Sequence, residues 1–166
     1  MNIDEINNKA KKIKLLLTDC DGVLTDGGAY YGAEGEVLKK FNLKDGMGVE
    51  RLRSTVQVST GIITGEISPS IIKRATKLQI TELHLGIKDK LAILKQIMLN
   101  HNLKKEQIAY IGDDINDIEI MQNVGLSACP SDAISFTLKT ADYICEKKGG
   151  EGCFREFAEL IIASKL

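Results

Sequence analysis

Short apolar runs with β-strand character alternate with segments of helical periodicity along almost the whole chain. That order constrains the fold more than any other feature, because it implies a parallel sheet with helices on both faces. Ile13 to Thr18, Gln57 to Thr64, Leu83 to Leu85, Ile108 to Ile111, Leu126 to Ala128 and Tyr143 to Cys145 read as the strands. Between them the spacing becomes helical. Ser68 followed by Pro69 reads as an N-cap with proline in the first turn, after which Ile71, Ile72, Ala75 and Leu78 recur on one side. Leu91, Leu94, Ile97 and Met98 repeat the pattern, and Asp114 to Met121 and Gly152 to Ile162 read as two more helices. Each stripe reads as core. One segment interrupts the alternation: residues about Ala29 to Phe41 carry glycines between strand-like flanks and read as a β-hairpin. With no internal repeat, low-complexity tract or proline-rich linker, the expectation is a single α/β domain over residues 1–166. Its fold class is a doubly wound, Rossmann-like parallel sheet with a hairpin insertion at about 29–41.

Composition narrows the function. At 166 residues a domain hides roughly 70% of the surface its unfolded chain exposes, so a core forms without disulfide or metal staples. The 22 basic and 23 acidic side chains leave a formal net charge of −1, with no excess of positive charge for a nucleic acid or an anionic membrane surface. Neither a secretory leader nor a run of ~20 apolar residues is legible, which points to a cytoplasmic chain. Cys20, Cys129, Cys145 and Cys153 stand singly beside apolar residues, as small buried hydrophobes in a reducing compartment do.

In doubly wound sheets ligands bind outside the carboxyl ends of the strands. After the first strand come Asp19-Cys20-Asp21-Gly22; after the second, Thr64-Gly65-Glu66; after the fourth, Gly112-Asp113-Asp114-Ile115-Asn116-Asp117. Carboxylates gathered at one edge repel unless a cation lies among them, and hard oxygen ligands suit Mg²⁺. The residues alone also allow turn formers and helix caps, the ordinary role of Asp beside Gly.

Asp19-x-Asp21-Gly22-Val23-Leu24-Thr25-Asp26-Gly27, then Thr64-Gly65, Lys90, and Gly112-Asp113-Asp114-x-x-Asp117, resemble the four ordered motifs of the haloacid dehalogenase superfamily. The hairpin, Lys39-Lys40-Phe41-Asn42-x-Lys44-Asp45-Gly46, and the tail Gly149-Gly150-Glu151-Gly152-x-x-Arg155-Glu156 are similar to its 3-deoxy-D-manno-octulosonate 8-phosphate phosphatases. The resemblance implies a phosphoric monoester hydrolase of the HAD type, without a cap domain, assembled as a homotetramer. It implies Asp19 as nucleophile. Asp21 would protonate the leaving oxygen and then deprotonate water, and neighbouring carboxylates would favour its carrying that proton. Mg²⁺ would be held by Asp19, the Asp21 backbone carbonyl and Asp113, with Asp114 behind them and Asp117 orienting Lys90. Thr64 and Lys90 would meet the phosphate; Asn116 reads as a helix cap, and Lys90 alone also reads as a solvated helix residue.

Sugar-acid contacts implied by the resemblance fall on Asn42, Lys44, Asp45, Gly46, Gly65, Glu66 and Arg74. Two positions depart from the octulosonate phosphatases, where Glu66 and Glu50 replace arginines. A carboxylate cannot pair with a substrate carboxylate as a guanidinium does, though it accepts hydrogen bonds from hydroxyls. Thr64-Gly65-Glu66 and the tail are closer to the branch acting on 2-keto-3-deoxynononate 9-phosphate. The expected substrate is therefore a phosphorylated sugar acid of a pathway to lipopolysaccharide or sialic acid. Another small phosphate ester, or a non-catalytic oligomerisation module of the same fold, are the alternatives. The glycines of residues 149–155 suit close backbone approach, in a tail that reaches a neighbouring site or merely enters the last helix.

Overall fold

The computed structural model describes residues 2–166. Its centre is β1 (Leu15–Thr18), every residue of which is buried. The strand pairs in parallel with β4 (Ser59–Ile63) on one side and β6 (Ile108–Ile111) on the other. With β5 (Glu82–His84), β7 (Leu126–Cys129) and β8 (Tyr143–Ile144) the sheet runs β5-β4-β1-β6-β7-β8, parallel throughout. The winding reverses between β1 and β6. That reversal is the switch point at which such sheets open a crevice.

Two-residue periodicity divides the apolar side chains between two cores. Leu16, Ile62, Ala109 and Ile111 pack with α1 (Ile3–Ala10), α2 (Leu43–Val56), α3 (Pro69–Lys77) and α7 (Cys153–Lys165). Leu15, Leu17, Ile63 and Tyr110 face the opposite layer, α4 (Lys90–Asn100) and α5 (Ile118–Met121), with α6 (Ser135–Thr140) beside them. All four cysteines are buried and free, and burial first of all raises each thiol's pKa. No helix among the described residues is long and apolar enough to cross a membrane.

The hairpin stands outside the sheet as β2 (Tyr30–Gly32) and β3 (Gly35–Leu38), with Tyr30, Tyr31, Val37 and Leu38 exposed. Helices α1, α2 and α6 add to those expected. The absence of a helical reading over Leu43–Val56 has a physical origin, since Gly46 and Gly48 look like interruptions that each cost about 0.5–1 kcal/mol. Here they permit packing. A Cβ at Gly46 would lie 2.7 Å from Arg74 Nη2 on α3, and one at Gly48 would lie 3.2 Å from Arg155 Cδ on α7. The expected Asp114–Met121 helix instead opens with a 3₁₀ turn, Ile115–Asp117, before α5. Asp114 caps that turn, so Asn116 does not.

Candidate active site

Both acidic segments begin where a buried strand ends. Asp19 follows β1, and its backbone N–H donates to Ile111 O at 3.0 Å, fastening it to the end of β6. Its Oδ1 accepts from Cys20 N at 2.7 Å and from Lys90 Nζ at 3.1 Å. Oδ2 takes part in neither bond. Lys90 is the first residue of α4 and its side chain is 1% exposed, which removes the reading of it as a solvated helix residue. Its ammonium also donates to Asp117 Oδ1 at 2.6 Å and to the Tyr110 hydroxyl at 3.1 Å. Burial works to lower the Lys90 pKa, and the carboxylates of Asp19 and Asp117 outweigh it and raise it.

Asp117 is wholly buried and fully used. Its Oδ1 accepts from Lys90 and from Tyr110 OH at 2.6 Å, while Oδ2 accepts from the backbone N–H groups of Asp113 and Asp114 at 2.9 and 3.2 Å. Although Asp19, Asp113 and Asp117 place carboxylate oxygens within 4.8 Å of one another, Asp117 has no free lone pair to offer. Asp113 differs. Its Oδ1 is buried without any hydrogen-bond partner. Burial, then repulsion from Asp117, pushes the Asp19 pKa up to about 7 despite Lys90. Burial and repulsion from Asp19, Asp117 and Asp114 push Asp113 up to about 8. An orphaned hard oxygen facing a second strained carboxylate fits a divalent cation of the Mg²⁺ kind.

The glycines explain the closeness. A Cβ at Gly22, where φ is +88°, would lie 2.0 Å from Asp113 Oδ2, and one at Gly112 would lie 2.4 Å from the Asp117 carboxyl carbon. Thr64 leaves β4 buried, its Oγ1 accepting from Glu66 N at 3.2 Å, so its hydroxyl hydrogen remains to be donated.

Asp19, Asp21, Thr64, Gly65, Glu66, Asp113, Asp114 and Asn116 line one cleft of about 180 Å³ at the sheet's switch point. Asn42, Asp45, Gly46 and Arg74 line a separate depression instead. Their polar groups serve the chain: Asn42 Oδ1 caps α2, Asp45 Oδ1 accepts from Arg155 N at 2.8 Å, and Arg74 Nη2 donates to Asn42 O at 2.9 Å. Lys44 is exposed beside them, and Glu50 pairs with Arg53 on the same helix. The tail is likewise seated on its own chain, with Gly150 N donating to Val23 O at 2.9 Å and Gly149 close against the Gly22 carbonyl.

Two site residues escape the sequence. Tyr110 is hidden in the alternation of β6. Lys39, half of a Lys-Lys pair, donates to Asp21 Oδ1 at 2.7 Å, whereas Lys40 is exposed and pairs with Asp26. Asp21 shares its cleft with the expected neighbouring carboxylates of Asp19, Asp113 and Asp114, but its direct partner is an ammonium, with the Thr25 hydroxyl donating to the same oxygen at 3.2 Å.

A family model described as haloacid dehalogenase-like hydrolase matches residues 60–156. A 3-deoxy-D-manno-octulosonate 8-phosphate phosphatase of Yersinia pestis is 40% identical over 98% of this chain and 86% of its own length. The enzyme of the same name from Escherichia coli K12 is 38% identical over 95% of this chain and 83% of its own. Among solved structures, that phosphatase from Moraxella catarrhalis, in complex with magnesium, phosphate and KDO, superposes with a TM-score of 0.95 at 36% identity. The match covers 99% of this chain and 94% of that one.

Proposed function

The chain belongs to the haloacid dehalogenase-like hydrolases, and on that footing we propose that it hydrolyses the phosphate monoester of a 2-keto-3-deoxy sugar acid, with Mg²⁺, through an aspartyl-phosphate. The observation that carries the reading is Asp19 itself: a buried carboxylate at the switch point, held through Oδ1 by Lys90 and facing the unpartnered oxygen of Asp113.

Asp19 Oδ2 forms the bond to phosphorus as the bond from phosphorus to the sugar oxygen breaks. Asp21 gives its proton to that leaving oxygen, then takes one from the water whose oxygen attacks the aspartyl-phosphate, releasing phosphate and restoring Asp19. Thr64 donates its hydroxyl hydrogen to a phosphate oxygen, and Lys90 places fixed positive charge where negative charge gathers. Asp117 orients Lys90. Asp19, the Asp21 backbone carbonyl and Asp113 would hold Mg²⁺, with Asp114 behind them; the ion supplies the charge that lets an anionic nucleophile approach an anionic ester.

A cleft of about 180 Å³ takes the phosphate end, while the sugar chain lies across the open mouth. The relatives support the eight-carbon 8-phosphate ester. Glu66, exposed at that mouth and without an ion pair among the described residues, favours a second reading, the nine-carbon 9-phosphate, because an acid there suits hydroxyls and repels the carboxylate that both acids carry, which the longer chain sets one carbon farther from the phosphate. Hydrolysis of both esters, with Mg²⁺ and after its chelation, tests the proposal. Turnover of neither, with good turnover of unrelated phosphate esters, overturns the substrate class.

The exposed Tyr30, Tyr31, Val37 and Leu38 support a homotetramer built on the hairpins. In this proposal a neighbouring copy completes the mouth and joins to it the separate depression lined by Asn42, Asp45, Gly46 and Arg74, with the exposed Lys44 beside them meeting the sugar acid. Four free cysteines support the cytoplasm as the compartment. A monomer in light scattering with full activity contradicts the shared site.

A further inference from the structure

Lys39 is anchored in a way that the chemistry above leaves unexplained. Its side chain is 3% exposed although it directly follows a hairpin that joins no other strand. The ammonium bridges Asp21 Oδ1 at 2.7 Å and Glu36 Oε2 at 3.1 Å. Glu36 in turn accepts a hydrogen bond from the Ser68 hydroxyl. Ser68 stands at the N-cap of α3, yet its side chain makes no cap hydrogen bond. The chain Asp21, Lys39, Glu36, Ser68 therefore joins the loop after β1 to the loop after β4, across the cleft. Burial works against the Lys39 ammonium, and its two carboxylate partners outweigh that and raise its pKa.

Fastening the hairpin does not require a buried cation. Burying an ammonium carries a desolvation cost that its partners must offset, whereas the exposed Lys40 to Asp26 pair ties the same segment without that cost. What Lys39 adds is control of one carboxyl. With Lys39 and Thr25 both on Oδ1, the Asp21 carboxyl is held in one orientation, its Oδ2 buried without a hydrogen-bond partner.

We propose that Lys39 is a positioning residue for the hydrolysis: it holds Asp21 by Oδ1, fixes the orientation of that carboxyl at the cleft, and links it through Glu36 to the loop behind Thr64. The inference rests on the reading of Asp21 as the acid and base of the reaction. It makes the hairpin part of the machinery as well as a surface.

The test compares leaving groups in the full-length protein. A sugar alkoxide needs a proton as it departs, and a p-nitrophenolate leaves without one, so only the first senses a displaced acid. Lys39→Met is expected to lower kcat/KM for the sugar acid phosphate at least ~30-fold, part of the ~10²–10⁴-fold that general acid catalysis supplies, and for p-nitrophenyl phosphate less than about threefold. Lys39→Arg is expected to recover most of the loss. Glu36→Gln, which loosens the anchor from its other carboxylate, is expected to shift the two esters apart in the same sense and gives the readout if Lys39→Met does not fold. Equal losses on both esters in every folded variant overturn the positioning role while leaving the phosphatase intact. A wild-type protein inert towards both esters overturns the functional reading and this role with it.

Discussion

Replacing Asp117 by Asn removes one negative charge from a carboxylate whose lone pairs are all in use. The side chain is wholly buried and accepts four hydrogen bonds, two on each oxygen. The amide nitrogen of Asn must stand where one of those oxygens stood. In one orientation it confronts the Lys90 ammonium, and in the other the backbone N–H groups of Asp113 and Asp114. Breaking a buried ion pair costs about 3–5 kcal/mol. Two effects reduce the loss here: Lys90 keeps Asp19 at 3.1 Å, and Asp19 and Asp113 lose a repelling neighbour. The expected destabilisation is therefore about 3 kcal/mol, which in a domain of this size lowers Tm by about 6–12 °C. Misplacing a charge aimed at the transferring phosphoryl group is expected to cost at least ~10²-fold in kcat. Thermal unfolding and steady-state turnover check the two numbers on one preparation. A Tm within about 2 °C of wild type with kcat within about threefold would mean that Asp19 alone holds Lys90.

Glu66→Arg is expected to lower the ratio of kcat/KM for the nine-carbon ester over the eight-carbon ester at least tenfold, about 1.4 kcal/mol, with little effect on a generic ester; an unchanged ratio removes Glu66 from substrate selection. Gly22→Ala forces a left-handed alanine, costing about 1–2 kcal/mol, and drives a methyl group into Asp113, so the Mg²⁺ concentration for half-maximal activity is expected to rise at least ~10-fold. An unchanged Mg²⁺ requirement contradicts Asp113 as a ligand. Burial raises the Asp45 pKa from 3.8 to about 6, so between those values the folded chain binds more protons than the unfolded one and stability falls as pH rises. The penalty is complete above about pH 6 and is on the order of 3 kcal/mol; Asp45→Asn is expected to flatten that slope in denaturant melts at pH 4.5 and 7.5, and an undiminished slope assigns it to another group.

The sheet and its acidic edge are legible because each rests on a local signal. Leu15, Leu16 and Leu17 announce a central strand, and Asp19 and Asp113 directly follow the strands that meet at the switch point. The less legible parts depend on contacts distant in sequence. Gly46 and Gly48 read as interruptions until α3 and α7 are placed against α2. Ser68 has the position of an N-cap, but a glutamate 32 residues earlier takes its hydroxyl. Nothing in Lys39-Lys40 marks which lysine turns inward, since both lie just beyond β3 and only Asp21 distinguishes them. Arg74 has a charge suited to a sugar acid, yet it lies over the Phe41 ring and donates to the Asn42 carbonyl.

Rapid mixing of the wild-type protein with Mg²⁺ and the 8-phosphate or 9-phosphate ester, acid quenching and peptide mass spectrometry examine substrate, metal and nucleophile together. The expected result is one phosphoryl group on Asp19, present at early quench times, absent when Mg²⁺ is chelated and absent in Asp19→Asn. Release of phosphate while the Asp19 peptide stays unmodified at every quench time, or a phosphoryl group carried on another residue, contradicts the aspartyl-phosphate route through Asp19.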